Sequence, residues 1–177
     1  CRTFSQARKT DRFGSVRPLM SIDHPTGLPQ YCKSKAVREA NLLARRFAAL
    51  CRVQMRAGGW FSLENPASSL MWHFKPVAQL LKAPAVKLHL GDQCVHGGTY
   101  KKRTGWASNA EWFQIMESKC PGAPFCGPHP ILQGFAFDRF GVRRWCTRLT
   151  AEYPEGLCDT LAETYQKAIA KYPKRDA

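Results

Sequence analysis

The sequence is poor in acidic residues and lacks a long apolar run. Its 177 residues include 13 Asp and Glu against 27 Lys and Arg, a formal net charge of +14 at pH 7. A surplus of this size favours a polyanionic partner, and nucleic acid is the commonest one. No apolar run approaches the roughly 20 residues of a spanning helix. With no signal peptide visible either, we expect no membrane partner.

The composition is that of an ordinary globular protein. Apolar residues make up 44% of the chain and charged residues 23%, which argues against disorder. The length suits a single domain with a core of its own. Because the chain opens on Cys1 and not on Met, we expect it to be truncated at its N-terminus. Oligomeric state is not predictable from these features.

The cysteines do not follow the C-x-x-C spacing typical of a zinc site or a redox motif. Several of the eight lie among apolar residues of predicted helices or strands, where a reduced cysteine acts as a small hydrophobe. The chain is also too long to need a disulfide framework. A reducing compartment, nuclear or nucleoid-associated, is therefore predicted. The eight are Cys1, Cys32, Cys51, Cys94, Cys120, Cys126, Cys146 and Cys158.

The chain divides by composition into four segments of a single predicted domain. Residues 1–32 are punctuated by Gly and Pro and predict a long loop. Residues 33–105 predict a core of strands and helices, and residues 106–150 a loop-rich insert. Residues 151–177 predict a closing helix from about Glu155.

The clearest single element is a helix capped by Ser34 and ended by Gly58 and Gly59. Arg38, Arg45 and Arg52 recur on its polar side. The apolar residues at helical spacing are Ala36, Val37, Ala40, Leu43, Ala44, Phe47, Leu50, Cys51 and Met55.

Strands and helices alternate along the core segment. Residues 60–63 form a short apolar run typical of a buried strand, and Pro66 and Pro76 punctuate the helical stretch that follows it. Residues 86–90 alternate apolar and polar, with Lys87 and His89 on the predicted exposed side. This order predicts an α/β fold, a Rossmann-like and mostly parallel sheet with helices on both faces.

Two short motifs resemble the cytosine-C5 DNA methyltransferase family. CRTFSQAR at the start of the chain is similar to that family's catalytic cysteine loop, and FSLENP at 61–66 to its strand ending in Glu-Asn. More loosely, the basic stretch HGGTYKKRTG and the closing helix resemble later family motifs. The chain departs from the family in having Arg2 after the cysteine and Pro66 after Glu-Asn.

The resemblance implies a chemistry for particular residues. Cys1 would attack C6 of a flipped cytosine, and Glu64 would handle a proton at N3 while Asn65 shapes the turn that presents it. The cofactor would be S-adenosylmethionine, its pocket mostly outside this chain, because the chain has no Gly-rich strand-turn-helix. Residues implied to meet nucleic acid, expected to be DNA, are Arg2, Ser5, Arg8 and Asn65.

The basic turn, Thr99 to Arg103, is the best local candidate for phosphate contact. It follows two glycines and contains three consecutive cations, Lys101 to Arg103. Tyr100 and Trp106 flank these cations and could stack on a base.

Two other interpretations remain open. One is a catalytically inactive nucleic-acid-binding module of a mobile element that keeps the fold. The other is a zinc-stabilised nuclease or integrase-associated domain, with ligands drawn from two compact pairs and one further cysteine. The favoured reading of those residues is reduced cysteines near a core, so no metal is assigned. The residues concerned are Cys94, His96, Cys120, Cys126 and His129.

Overall fold

The computed structural model describes residues 2–6, 18–131, 134–138 and 140–171. Within these ranges the protein is mixed α/β, which confirms the predicted class at its coarse level. The helices are α1 (Lys35–Arg56), α2 (Lys75–Leu81), α3 (Cys146–Leu149) and α4 (Glu155–Lys171). The strands are β1 (Ser62–Pro66), β2 (Lys87–Asp92), β3 (Arg103–Ser108), β4 (Phe135–Phe137) and β5 (Arg143–Trp145). Short 3₁₀ turns span Arg2–Phe4, Leu70–His73, Gln93–His96 and Glu111–Met116.

The sheets are small and antiparallel, so the Rossmann-like, mostly parallel sheet is not confirmed. One sheet has three strands in the order β1-β3-β2, and the other pairs β4 with β5. Parallel neighbours need a crossover, usually through a helix. Residues 93–102, which join β2 to β3, contain a single 3₁₀ turn and no α-helix.

The chain forms two compact units, which are described separately. The first unit comprises Cys1–His89 and Gly105–Ala110, and the second comprises Leu90–Thr104 and Glu111–Ala177. None of the helices among the described residues has the length and apolar character needed to cross a membrane.

Helix α1 forms where the sequence predicts it, and it buries only part of the predicted apolar stripe. Ser34 caps it by accepting a hydrogen bond from the backbone N–H of Val37, and Gly58 follows it in the left-handed region at φ 74°. Leu43 and Leu50, predicted to be in the core, are 64% and 65% exposed. The buried residues are Val37, Ala40, Ala44, Ala48 and Cys51. This stripe of small residues allows α1 to pack closely against its neighbours.

Strand β2 forms near its predicted position, with Val86 buried and Lys87 exposed as predicted, but the pattern is reversed from Leu88 to Leu90. His89, predicted to be exposed, is 1% exposed, whereas Leu88 and Leu90 are each 37% exposed. Side chains alternate between the faces of a strand, so an inward His89 places the adjacent Leu88 and Leu90 on the outward face.

Pro66 and Pro76 mark boundaries close to the predicted ones. Pro66 ends β1 and does not open a helix, since the 3₁₀ turn Leu70–His73 starts after Ser69. Pro76 lies in the first turn of α2, where a missing N–H is harmless. The guanidinium of Arg52 donates to the carbonyl of Pro76 at 2.9 Å. This predicted solvent-facing arginine is therefore part of the packing of α1 on α2.

The closing helix forms as predicted at its start but is mostly exposed. Helix α4 begins at Glu155, and only Leu157 and Ala168 on it are buried. Tyr165 packs instead against Trp112, with ring centroids 6.0 Å apart.

Candidate metal centre

Four side chains with soft or imidazole ligand atoms converge in the second unit. The Sγ atoms of Cys94, Cys120 and Cys126 and a ring nitrogen of His129 all lie within 4.8 Å of one another. We call these residues the four-ligand cluster. His129 Nε2 is 3.3 Å from Cys120 Sγ and 3.2 Å from Cys126 Sγ.

These separations suit one tetrahedral zinc ion. With Zn–S near 2.3 Å and Zn–N near 2.0–2.1 Å, a tetrahedron places sulfur atoms about 3.8 Å apart and sulfur and nitrogen about 3.6 Å apart. The sulfur–nitrogen distances in the cluster are within a few tenths of an ångström of that value. Three thiolates and one imidazole select zinc over the hard cations. Four protein ligands leave no open position, which is typical of a structural site and not of a catalytic one.

Local structure explains how distant positions meet. Cys94 lies in the 3₁₀ turn that follows β2, and this turn ends at Gly97 with φ 87°. Cys120 and Cys126 bracket a tight loop in which Gly122, at φ 74°, adopts a conformation that disfavours other residues. The backbone N–H of Cys126 donates to the carbonyl of Gly122 at 2.8 Å, which closes the loop.

Two further groups orient the ligands. The carboxylate of Asp92, itself 0% exposed, accepts a hydrogen bond from the backbone N–H of Cys120 at 2.9 Å. Nδ1 of His129 lies 3.2 Å from the carbonyl of Thr99. A hydrogen bond from Nδ1–H to that carbonyl leaves Nε2 as the acceptor atom that faces the two sulfurs. Such outer partners fix the ring and tune ligand basicity in metal sites.

The electrostatics of the cluster favour a thiolate at one position. A backbone hydrogen bond from Gly122, followed by the hydrogen bond with His129, lowers the pKa of Cys120 to about 7. The hydrogen bond between Cys120 and His129 raises the pKa of His129. Burial raises the pKa of Cys94 to about 12, so this thiol loses its proton to solvent near neutral pH only when a bound metal cation stabilises the thiolate.

Four of the five residues that the sequence suggested as zinc ligands come together in the structure. His96 is not in the four-ligand cluster, although it stands two positions after Cys94. Burial lowers the pKa of His96, which is consistent with a neutral imidazole held in packing. The first turn of α4 abuts this region, where a Cβ on Gly156 would lie 2.9 Å from the carbonyl oxygen of His96.

Replacing Asp92 by Ala should weaken zinc binding by roughly 10- to 100-fold, the usual effect of losing an outer partner. The Cys120 N–H would then lose its acceptor, and the thiol would lose its orientation. Competition with a chromophoric chelator measures the affinity. Asp92→Asn keeps an acceptor oxygen and should lose less, and equal affinities for wild type and Asp92→Ala would contradict this role.

The basic turn has fewer free cations than the sequence suggested. Lys102 is half-buried, its Nζ donates to the carbonyl of Thr150 at 3.2 Å, and it lies 5.4 Å from the ring centroid of Tyr153. Lys101 and Arg103 are exposed. Trp106 is only 3% exposed, so the prediction that it stacks on a base is wrong.

Tyr100, the other predicted stacking residue, is half-buried. Its backbone carbonyl accepts from the N–H of Lys102 at 2.8 Å and so tightens the turn.

The methyltransferase-like residues lie in the first unit. Cys1 and Arg8 are outside the described residues, and Arg2 begins the first 3₁₀ turn. Ser5 is half-buried.

Glu64 is a half-buried residue of β1. The side-chain amide of the buried Asn65 donates to the carbonyl of Glu64 at 2.8 Å and to Met71 Sδ at 3.5 Å. The Asn65 amide thus fixes the backbone at the position that carries Glu64.

No protein-family model matches the chain, and no curated protein or solved structure shows significant similarity to it.

Proposed function

We propose that this protein is a zinc-stabilised nucleic-acid-binding module. The observation that carries the proposal is the four-ligand cluster of Cys94, Cys120, Cys126 and His129, whose ligand atoms lie within 4.8 Å of one another. Apart from α4, the second unit joins short elements with long loops, and a structural ion contributes folding free energy directly in such a region.

The four-ligand cluster is connected to the basic turn on both sides. The carbonyl of Thr99 meets His129 Nδ1 at 3.2 Å. The carbonyl of Lys102 accepts from the N–H of Gln93, the residue before Cys94, at 3.0 Å. An ion that fixes the ligands therefore also fixes the backbone that carries Lys101 and Arg103.

Charge supports nucleic acid as the partner. The net charge of +14 provides the long-range attraction, and the exposed cations of the ordered turn provide local phosphate contacts. Lys102 anchors the turn through Thr150 and contributes less to the phosphate contacts themselves.

The test is the salt dependence of binding to a 20-base-pair duplex. Replacing Lys101 and Arg103 together by Ala should flatten the slope of log affinity against log salt by about 1.8 units, about 0.9 for each lost phosphate contact. Lys167 is a matched control, since it is exposed on α4 and pairs with Glu163 at 3.7 Å. Lys167→Ala should leave the slope unchanged. No measurable nucleic-acid binding by the zinc-loaded protein would refute the proposal.

A cytosine-C5 methyltransferase-like activity is a second candidate, favoured by the anchoring of the segment after Cys1. Phe4 is fully buried, its ring centroid is 5.7 Å from that of Phe74, and its carbonyl accepts from Ser69 Oγ at 3.5 Å. Ser69 closely follows the strand that carries Glu64. Phe4, three positions after Cys1, is thus tied to the stretch that follows the strand carrying Glu64. This candidate includes a Rossmann-like sheet and S-adenosylmethionine as cofactor.

A further inference from the structure

The β4–β5 hairpin of the second unit separates its side chains into two different faces. Phe135 lies opposite Trp145, Ala136 opposite Arg144, and Phe137 opposite Arg143. Side chains alternate along a strand, and directly opposite residues share a face. One face therefore contains Phe135, Phe137, Arg143 and Trp145, and we call it the aromatic face.

The aromatic face presents three aromatic rings and one planar guanidinium group side by side. The ring centroids of Phe135 and Trp145 are 3.9 Å apart, with the planes inclined by 30°. The guanidinium carbon of Arg143 lies 4.2 Å from the centroid of Phe135, in cation–π contact. Phe137, at the end of β4, is 71% exposed. Ring faces and a planar cation are thus presented next to one another.

The opposite face and the turn hold the hairpin in shape. Asp138 pairs with Arg144 at 3.0 Å and accepts the backbone N–H groups of Phe140 and Val142, each at 2.9 Å. These hydrogen bonds, that from Val142 first, lower the pKa of Asp138. Asp138 is the one acidic residue in the sequence 134–148, which contains the four arginines Arg139, Arg143, Arg144 and Arg148. The one carboxylate of this stretch that could repel a polyanion is therefore already paired with Arg144 and with two backbone N–H groups.

We propose that the aromatic face binds the unstacked bases of single-stranded nucleic acid. The inference rests on the proposed nucleic-acid-binding function and names the form of nucleic acid that this site takes. Exposed aromatic rings interleaved with arginine stack on bases of any sequence, and the cations meet the neighbouring phosphates. Bases inside a duplex present only their edges, so duplex DNA leaves such a face without a partner.

The charge of the hairpin points to this occupant over an apolar protein surface. An apolar partner would have to bury the guanidinium of Arg143, which is unfavourable without an anionic group. A nucleic-acid strand offers both a stacking surface and phosphate. The sequence 134–148 contains two further arginines, Arg139 and Arg148, which raise the positive charge of this stretch.

The test compares a fluorescein-labelled 20-nucleotide single strand with the matching duplex, using the zinc-loaded chain at fixed salt. Phe137→Ala and Phe137→Leu should each weaken single-strand binding by roughly 5- to 150-fold, which corresponds to one lost base stack. Phe137→Tyr should bind like wild type because the ring is retained. Duplex affinity should change by less than about twofold in all three variants, since charge dominates it.

Arg143→Ala and Arg148→Ala form a matched pair, because both remove one exposed arginine of the second unit and only the first lies on the aromatic face. Only Arg143→Ala should lower the ratio of single-strand to duplex affinity.

The inference fails if Phe137→Leu binds single strands like wild type. Salt-dependent binding to nucleic acid would in that case still support the proposed function. Tighter binding to duplex, or concentration-dependent self-association that Phe137→Ala removes, would also overturn the inference. A wild-type protein that binds no nucleic acid at all would instead refute the proposed function itself.

Discussion

Removal of zinc from the four-ligand cluster is expected to unfold the described part of the second unit while leaving the first unit folded. Structural zinc sites in small domains contribute an apparent binding free energy of about 10–16 kcal/mol near neutral pH. That is comparable to the roughly 5–15 kcal/mol by which whole domains are stable, so losing it is enough to unfold a unit. All four ligands lie in the second unit, and the buried core of α1 and α2 lies in the first. Zinc chelation should therefore abolish hydrogen-exchange protection in β3–β5 segments of the second unit and spare α1.

Cysteine substitutions make the prediction specific. Cys126→Ser replaces a ligand by a much poorer one, and we expect a loss of zinc affinity larger than the roughly 10- to 100-fold effect of an outer partner. Cys158→Ser is the matched control, because Cys158 is a free, exposed cysteine on α4. Metal content by mass spectrometry should be one zinc per chain for wild type and Cys158→Ser. Wild-type protein without bound zinc, yet with a protected second unit, would contradict a structural metal site.

Cobalt provides a second measurement. A tetrahedral Co²⁺ site with three thiolates gives intense visible and near-ultraviolet absorption, whereas an octahedral oxygen site does not. Zinc should displace the signal at one equivalent. His129→Ala should weaken this absorption, and His96→Ala should leave its position and intensity unchanged, since His96 is outside the four-ligand cluster.

The sequence predicts local elements well where they depend on local signals. Helix α1 is bounded by Ser34 and Gly58, whose roles come from a side-chain oxygen and a missing Cβ, so both ends are predictable. The part of the predicted apolar stripe that becomes buried is not predictable, because Leu43 and Ala44 both belong to it and only Ala44 is buried. Tertiary packing selected the stripe of small residues, which permits a close approach.

The exposure of the β2 side chains and the choice of metal ligands also depend on contacts between residues far apart in the sequence. His89 and Leu88 exchange their predicted exposures because the register of β2 is set by its sheet partner and not by its own pattern. Spacing alone gives no reason to choose His129 over His96 as the ligand that joins Cys94. The connection between them depends on the loop around Gly122 and on Thr99, and only the fold brings these together. The aromatic face was missed because residues 134–145 predict a loop until their antiparallel pairing is known.

Replacement of Cys1 is expected to abolish methyl transfer if the second candidate function holds. In that chemistry the thiolate adds to C6 of cytosine, and C5 takes the methyl group from S-adenosylmethionine, leaving S-adenosylhomocysteine. A base then removes the C5 proton, and the thiolate leaves. Cys1→Ala removes the nucleophile and should leave nucleic-acid affinity within about twofold, because charge and stacking supply most of that affinity. Cys32→Ala is the control, since Cys32 is an exposed, free cysteine of the same unit.

Glu64→Gln separates the proton-handling role from structure. The half-buried Glu64 is fixed by the Asn65 amide on its own carbonyl, so a neutral isostere should preserve β1. Losing a positioned proton donor typically slows a reaction by about 10²- to 10⁴-fold. Asn65→Ala should lower the rate as well, through misplacement of Glu64, and rate assays at several pH values should show an unchanged profile for Asn65→Ala and an altered one for Glu64→Gln.

A trapped intermediate gives the decisive readout. With 5-fluorocytosine in the DNA, the fluorine at C5 cannot leave as a proton does, so the thiolate stays bonded to C6 after methyl transfer. A protein that joins this chain to a segment binding S-adenosylmethionine should form a complex that survives denaturing electrophoresis. Formation should require the cofactor and Cys1, and it should persist in Cys32→Ala. If no such complex forms with cofactor present, the catalytic candidate is wrong. Zinc-dependent, salt-sensitive binding by the second unit would then stand alone as the function of the described residues.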